Sequence, residues 1–197
     1  MLLLFLAGSA SAQGRRVEIS PFGGYQFGGS SLSRIGQLEF EPDVSYGVML
    51  DVRVRPDATI QFVYDRHDTI LDFRDNDPFL PRQLRVDLAV EYYHLGGTVE
   101  FGEDRLRPYF GLTFGATRFD PSADGFSSEW RFSMGAGLGV KTYVSPRFGI
   151  RLDGRVWPSF VSTDGGFLCS LPGSCLVDIS SDFVTQANVT GGFFVAF

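Results

Sequence analysis

The sequence predicts an all-β chain that closes into an antiparallel, up-and-down barrel of eight strands crossing a lipid bilayer. Three observations predict it. Several segments alternate apolar with small or charged residues at period two, the connections between them sort into short and long, and no apolar run beyond the first residues approaches the ~20 needed for a spanning helix. The alternation matters because successive side chains of a strand point to opposite faces, giving one oily face and one small or polar face.

In chain order, the first strand is expected from Val17 to Phe27. From Val44 to Arg55 the rhythm is clear: Val44, Tyr46, Val48, Leu50, Val52 and Val54 alternate with Ser45, Gly47, Met49, Asp51, Arg53 and Arg55. Thr59 to His67 is the third strand and Leu84 to Phe101 the fourth. In the fourth, Val86, Leu88 and Val90 disagree in parity with Leu95, Val99 and Phe101, so a β-bulge is expected between Tyr92 and Tyr93. Arg107 to Phe119 is the fifth. From Trp130 to Val144, Trp130, Phe132, Met134, Ala136, Leu138 and Val140 are set against Arg131, Ser133, Gly135, Gly137, Gly139 and Lys141. Phe148, Ile150, Leu152 and Val156 against Arg151, Asp153 and Arg155 make the seventh. The last strand sets Val189, Phe193, Val195 and Phe197 against Asn188, Thr190 and Gly192.

Arg55 to Ala58, Gly102 to Leu106 and Ser145 to Arg147 read as tight turns, whereas Gly28 to Asp43, Asp68 to Gln83, Asp120 to Ser128 and Val161 to Asp178 read as long polar loops. Short and long connections therefore lie at opposite ends, an asymmetry typical of transmembrane barrels and without a reason in a soluble sandwich. In hydrocarbon an open sheet would leave edge N–H and C=O groups unpaired, so closure is required. Aromatic residues near the strand ends, Tyr25, Phe27, Tyr46, Phe119, Trp130 and Phe183 on the loop side and Phe101, Phe148 and Phe197 on the turn side, are expected to form two interfacial girdles.

The 197 residues include 24 Gly and 20 Phe beside 17 basic and 23 acidic residues, a balance favouring strands over helices. With a formal net charge of -6 and no basic cluster beyond Arg15 and Arg16, the chain has no electrostatic footprint for nucleic acid. Leu2 to Ala7 followed by Ala10-Ser11-Ala12 reads as a secretory signal over residues 1–12, with Gln13 opening a barrel domain over residues 13–197. The absence of a basic residue before Leu2 departs from the usual pattern.

An eight-stranded interior is just wide enough to be filled by side chains. Gly111, Gly115, Gly135, Gly137 and Gly139 make room there, and Asp51, Arg53, Asp65, Glu100, Lys141, Arg151, Asp153 and Arg155 bring both charge signs inward, where a charge persists when paired. A lumenal salt-bridge network and no wide aqueous channel are expected. Gly135-Ala136-Gly137-Leu138-Gly139 lacks the strand-turn-helix context of a phosphate loop and reads as strand. Cys169 and Cys175 in an exported chain read as a disulfide. His67 shares the inward face with Asp65 and reads as a lumenal histidine paired to that carboxylate. Asn188-Val189-Thr190 fits a glycosylation sequon but lies inside a strand. Asp72, Asp75, Asp77, Asp120 and Asp124 read as a solvated loop face, the alternative being a bridge through divalent cations to lipopolysaccharide phosphates.

Val189, Phe193, Val195 and Phe197 together resemble the C-terminal signature of bacterial outer-membrane proteins, which the barrel-assembly machinery recognises. Arg107 to Phe119 (RPYFGLTFGATRF) and Gly135 to Trp157 (GAGLGVKTYVSPRFGIRLDGRVW) resemble the small OmpA-, OmpX- and OmpW-type barrel domains. The resemblance implies a multi-pass, monomeric outer-membrane barrel in contact with membrane lipid and lipopolysaccharide, without the periplasmic peptidoglycan-binding domain of full-length OmpA-type proteins. The expected function is non-enzymatic, a structural or surface-interaction role with a filled lumen and no cofactor or metal. The alternatives are an OmpW-like narrow conduit for a small or hydrophobic molecule and, behind it, a PagL-like lipid A hydrolase using His67.

Overall fold

A computed structural model describes residues 17–32, 36–75, 83–102, 105–122, 127–160, 167–170, 174–177 and 183–197; the expected signal segment, Asp77 and Asp124 lie outside them. The strands are β1 (Val17–Phe27), β2 (Ser30–Leu32), β3 (Gly36–Phe40), β4 (Asp43–Arg55), β5 (Ala58–Asp75), β6 (Gln83–Glu100), β7 (Leu106–Pro121), β8 (Glu129–Tyr143), β9 (Phe148–Phe160), β10 (Phe167–Ser170), β11 (Ser174–Val177) and β12 (Phe183–Ala196). Eight of them form the wall, in the order β4-β1-β12-β9-β8-β7-β6-β5, and β5 pairs back onto β4 to close it. Every wall pairing is antiparallel. The fold is thus the closed eight-stranded barrel that the alternation predicts.

Following cross-strand partners once round the wall, from Arg53 through Thr59, Thr98, Gly111, Gly137, Arg155, Asn188 and Gln26, leads back to β4 at Asp43, ten residues from the start. That stagger is the shear of the barrel, and it obliges the strands to tilt by about 35–45°. The tight ends carry the expected turn chemistry. Gly102 after β6 has φ 86°, a left-handed conformation that favours glycine.

In two of the expected long loops the described residues are mostly strand. β2 and β3 continue the β1–β4 ladder in the same register, since Gln26 faces Asp43 and Ser30 faces Glu39. β5 and β6 stay paired up to Arg74 and Gln83, and β3 zips onto the top of β5. At 18 residues each, β5 and β6 are longer than the ~9 to 11 that a bilayer requires, so one side of the barrel rises as a tall wall beyond the hydrocarbon. The fourth connection carries a β10–β11 hairpin in which Cys169 faces Cys175; their side chains, and with them the expected disulfide, lie outside the described residues.

Polarity is arranged inside out relative to a soluble barrel. Ile19, Val52, Ile60, Leu95, Val99, Phe110, Leu112, Phe114, Leu138, Ile150, Leu152, Val189 and Phe193 are exposed on the outer face, while Glu18, Asp51, Gln61, His94, Thr98, Lys141, Arg151 and Asp153 are buried within. An outward apolar band around a polar lumen suits a surrounding of acyl chains, where placing Arg or Lys outward at the midplane would cost about 2 to 4 kcal/mol. Among the described residues no helix is long and apolar enough to cross a membrane, so the strands carry that band.

The expected bulge between Tyr92 and Tyr93 is absent, because β6 keeps an unbroken register with both β5 and β7. The parity of its apolar residues changes for another reason. Val86, Leu88 and Val90 are buried with Tyr92 and His94, and Leu88, Val90 and Tyr92 join Phe40, Leu71, Phe119 and Val184 in an apolar core at the loop end. In the tall wall the outer face meets water and carries Arg85, Asp87 and Asp68, so there the oily face turns inward. Phe119 accordingly belongs to this core and not to a girdle, whereas Tyr25, Phe27, Tyr46 and Trp130 are outward as expected; the Phe183 side chain lies outside the described residues.

The lumen has no room to spare beside its larger side chains. A Cβ on Gly135 would sit 2.4 Å from Thr113 Oγ1 and 2.9 Å from Trp157 Cζ3. Gly135→Val is therefore expected to lower stability by roughly 1–3 kcal/mol. The check is the temperature at which the compact band converts to the unfolded band in gel migration; an unchanged temperature would contradict this packing.

Candidate functional site

The lower half of the lumen, toward the tight turns, is filled by ion pairs. Lys141 of β8 is fully buried and its Nζ donates to Glu18 Oε2 at 2.7 Å, Glu100 Oε1 at 2.9 Å and Asp51 Oδ2 at 3.3 Å. One ammonium thus joins β8 to β1, β6 and β4 across the barrel axis. Below it Arg53 Nη2 spans Glu18 at 3.1 Å and Glu100 at 3.3 Å, Tyr143 OH donates to Glu18 at 2.7 Å, and Arg107 lies 3.5 Å from Glu100. Above it Arg151 donates to Asp51 Oδ2 at 2.7 Å through Nη1 and to Tyr109 OH at 2.7 Å through Nε; Tyr109 in turn donates to Asp153. Arg155 donates to Asp153 at 3.2 Å and, on the far side, to Gln61 Oε1 at 2.9 Å, whose amide donates to Asp51 at 2.7 Å.

Of the eight charged residues singled out in the sequence, seven meet in this one network. Asp65 stands apart, accepting a 2.6 Å hydrogen bond from Asn188 Nδ2. The network holds four carboxylates, Glu18, Asp51, Glu100 and Asp153, against five bases, Arg53, Arg107, Lys141, Arg151 and Arg155, so both charge signs alternate through the lower lumen. Sequence reasoning missed Glu18, Arg107, Tyr109 and Tyr143. Glu18 was legible in principle, since it alternates with outward Val17 and Ile19; the phenols were not, because a tyrosine reads equally well as a girdle residue.

Above the ion pairs lies a stack of rings. Tyr92 packs on Trp157 with centroids 4.5 Å apart, and His94 meets Trp157 edge-on at 4.7 Å. His94 lies 2.8 Å from Ser133 Oγ and 3.2 Å from Thr113 Oγ1. A serine beside a histidine suggests a nucleophile, but both ring nitrogens of His94 face hydroxyls, no carboxylate orients it, and Ser133 and His94 are both fully buried. His67 does not pair with Asp65 as expected. Its Nε2 lies 3.5 Å from Gln186 Nε2, and Gln186 also accepts from Tyr92 OH, because Asp65 turns toward Asn188 on β12 instead. Among the described residues no group of histidine, cysteine and acidic side chains is arranged to hold a metal ion.

Each end of the lumen is stoppered by a different chemistry: ion pairs toward the tight turns and the apolar cluster of Phe40, Leu71, Leu88, Phe119 and Val184 toward the loops. Val189, Phe193 and Phe197, which the sequence suggests as an assembly signature, are exposed outward on and just past β12, the strand that closes the wall against β1.

No protein-family model matches this chain, and no curated protein matches it in sequence. Among solved structures it is similar to Neisserial surface protein A, at 15% identity and a TM-score of 0.57 over 92% of this chain and 97% of that one. It is similar also to the outer-membrane protein OprG from Pseudomonas aeruginosa, at 14% identity and a TM-score of 0.59 over 93% and 97% of the two chains. A third is the outer-membrane protein AlkL in lipid bilayers, at 14% identity and a TM-score of 0.56 over 100% and 97%. At these identities the likeness is one of fold, and all three are small barrels.

Removing the shared partner of a buried ion cluster leaves its charges undercompensated. Lys141→Met leaves Glu18, Asp51 and Glu100 with only Arg53, Arg107 and Arg151 as cationic partners and is expected to cost about 3–5 kcal/mol. Urea unfolding in detergent micelles measures this; a loss below about 1 kcal/mol, the scale of an exposed ion pair, would refute the role given to Lys141.

Proposed function

We propose that the chain is a multi-pass barrel of the bacterial outer membrane with a non-enzymatic, structural or surface-interaction role, its tall β2–β3–β5–β6 wall being the part presented outside. The observation that carries this reading is the filled lumen, with an ionic stopper at one end and an apolar one at the other. Such a barrel is a rigid frame for what projects from it. The outward apolar band and the likeness in fold to outer-membrane barrels support the location.

The same filling speaks against the OmpW-like conduit. It also speaks against a lipid-modifying hydrolase, since His67 faces the lumen and an acyl chain lies outside the wall. Recognition of the final strand by the assembly machinery and contact with lipopolysaccharide belong to this reading as its expected partners. So does a Cys169–Cys175 bond, which would close a short hairpin against proteolysis.

In planar bilayers the purified chain is expected to give no conductance steps, and cell fractionation to place it in the outer membrane. Regular steps would return the conduit reading. Recovery in the soluble fraction as a detergent-free monomer would overturn the membrane reading itself. In the oxidised protein Cys169 and Cys175 should resist maleimide until reductant is added; immediate labelling would count against the bond.

A further inference from the structure

On the outer face of the barrel an ionic row lies where the polarity of the wall inverts. Tyr46, Arg66, Glu91, Arg118 and Trp130 are successive cross-strand partners on β4, β5, β6, β7 and β8. Two residues nearer the tight turns along each strand, the row is Val48, Tyr64, Tyr93, Ala116 and Phe132. Aromatic rings thus give way to charges within one step of the pleat. Outward charges cost little only near the interface, so this step marks the headgroup level on the loop side.

Glu91 is the centre of the row. Its side chain is only 7% exposed although it points away from the lumen, because four donors cover it. Arg66 Nη1 at 3.1 Å and Tyr64 OH at 3.2 Å reach Oε1, while Arg118 Nη1 at 3.2 Å and Tyr93 OH at 3.2 Å reach Oε2. The two guanidiniums are thereby held on either side of one carboxylate, each about one-third exposed. Their other Nη atoms donate to Asp68 and Asp120, each at 3.0 Å. Those two aspartates are well exposed, at 61% and 42%, and such surface pairs hold weakly, whereas the Glu91 contacts are shielded.

A buried anchor, two fixed guanidinium forks and weakly held outer partners are what a phosphate oxygen at a membrane surface needs in order to displace the aspartates. We propose that Arg66 and Arg118 bind the phosphate of a lipid in the leaflet on the loop side, with Glu91 as the positioning residue and Asp68 and Asp120 as occupants that the phosphate displaces. The inference rests on the membrane reading above and adds the lipid chemistry that this face recognises.

Trp130, next to Arg118 in the row and 5.5 Å from Tyr93 between ring centroids, reports on the lipid there, while Trp157 is buried in the lumen as a constant background. The test places the full chain in phosphatidylcholine vesicles containing either brominated phosphatidylcholine or brominated phosphatidic acid and reads quenching of tryptophan fluorescence. Brominated phosphatidic acid is expected to be preferred by about fivefold or more, the scale of ~1 kcal/mol per basic residue at a membrane surface. The preference should fall toward one in R66Q/R118Q and rise in D68N/D120N, which frees the guanidiniums without removing them. Equal quenching by the two lipids, a preference that survives R66Q/R118Q, or a fall in D68N/D120N overturns the proposal while leaving the membrane reading intact. If neither brominated lipid quenches, the membrane reading falls and this inference with it.

Discussion

Closure of the sheet is the constraint on which the rest depends. Hydrocarbon offers no partner to a backbone N–H or C=O, so the β1 edge must find β12 and the β5 edge must find β6. Eight strands with a shear of ten residues then enclose a lumen that side chains fill. Everything inside that lumen has lost most of its contact with water, and each ionised group there needs a partner. The Lys141 cluster answers that need by drawing Glu18, Asp51 and Glu100 from three other strands onto one ammonium. It also ties opposite walls together, so the pairing that neutralises the charges stiffens the barrel.

A second consequence concerns which face is oily. Within the bilayer the surroundings are acyl chains and apolar residues point out. Where β5 and β6 rise past it the surroundings are water, and the same strands turn their apolar residues in. Leu95 and Val99 are exposed and Leu88 and Val90 are buried on a single strand without any change of register. The change falls between Tyr93 and Glu91 on the outside, and the ionic row sits at that level. The barrel thus records the position of the membrane surface in its own side-chain pattern.

These two features bear jointly on function. The lumen is closed by ions at one end and by an apolar core at the other, which leaves the outer surface and the tall wall as the parts able to meet other molecules. Glu91 fits that view: four donors on the lipid-facing side are more than a solvated glutamate requires, and they fix two arginines where headgroups lie.

The sequence by itself determined the strand count of the wall, the direction of the alternation and the inward set of charges, because side-chain parity along a strand is local and β4, β8 and β9 keep it over most of their length, β4 shifting register only between Arg53 and Arg55. It also brought seven of the eight chosen charges to one half of one lumen. What it did not determine was anything requiring knowledge of strand height relative to the bilayer. The parity change in β6 resembled a bulge, Phe119 resembled a girdle residue, and the β2–β3 extension resembled a loop, since a sequence carries no mark of where the solvent changes. Partner choice was likewise tertiary: Asp65 turns to Asn188 and not to His67, and Glu18 meets Lys141 more than a hundred residues away. Such pairings depend on the shear that sets which inward residues share a level, and that stagger exists only once the wall has closed.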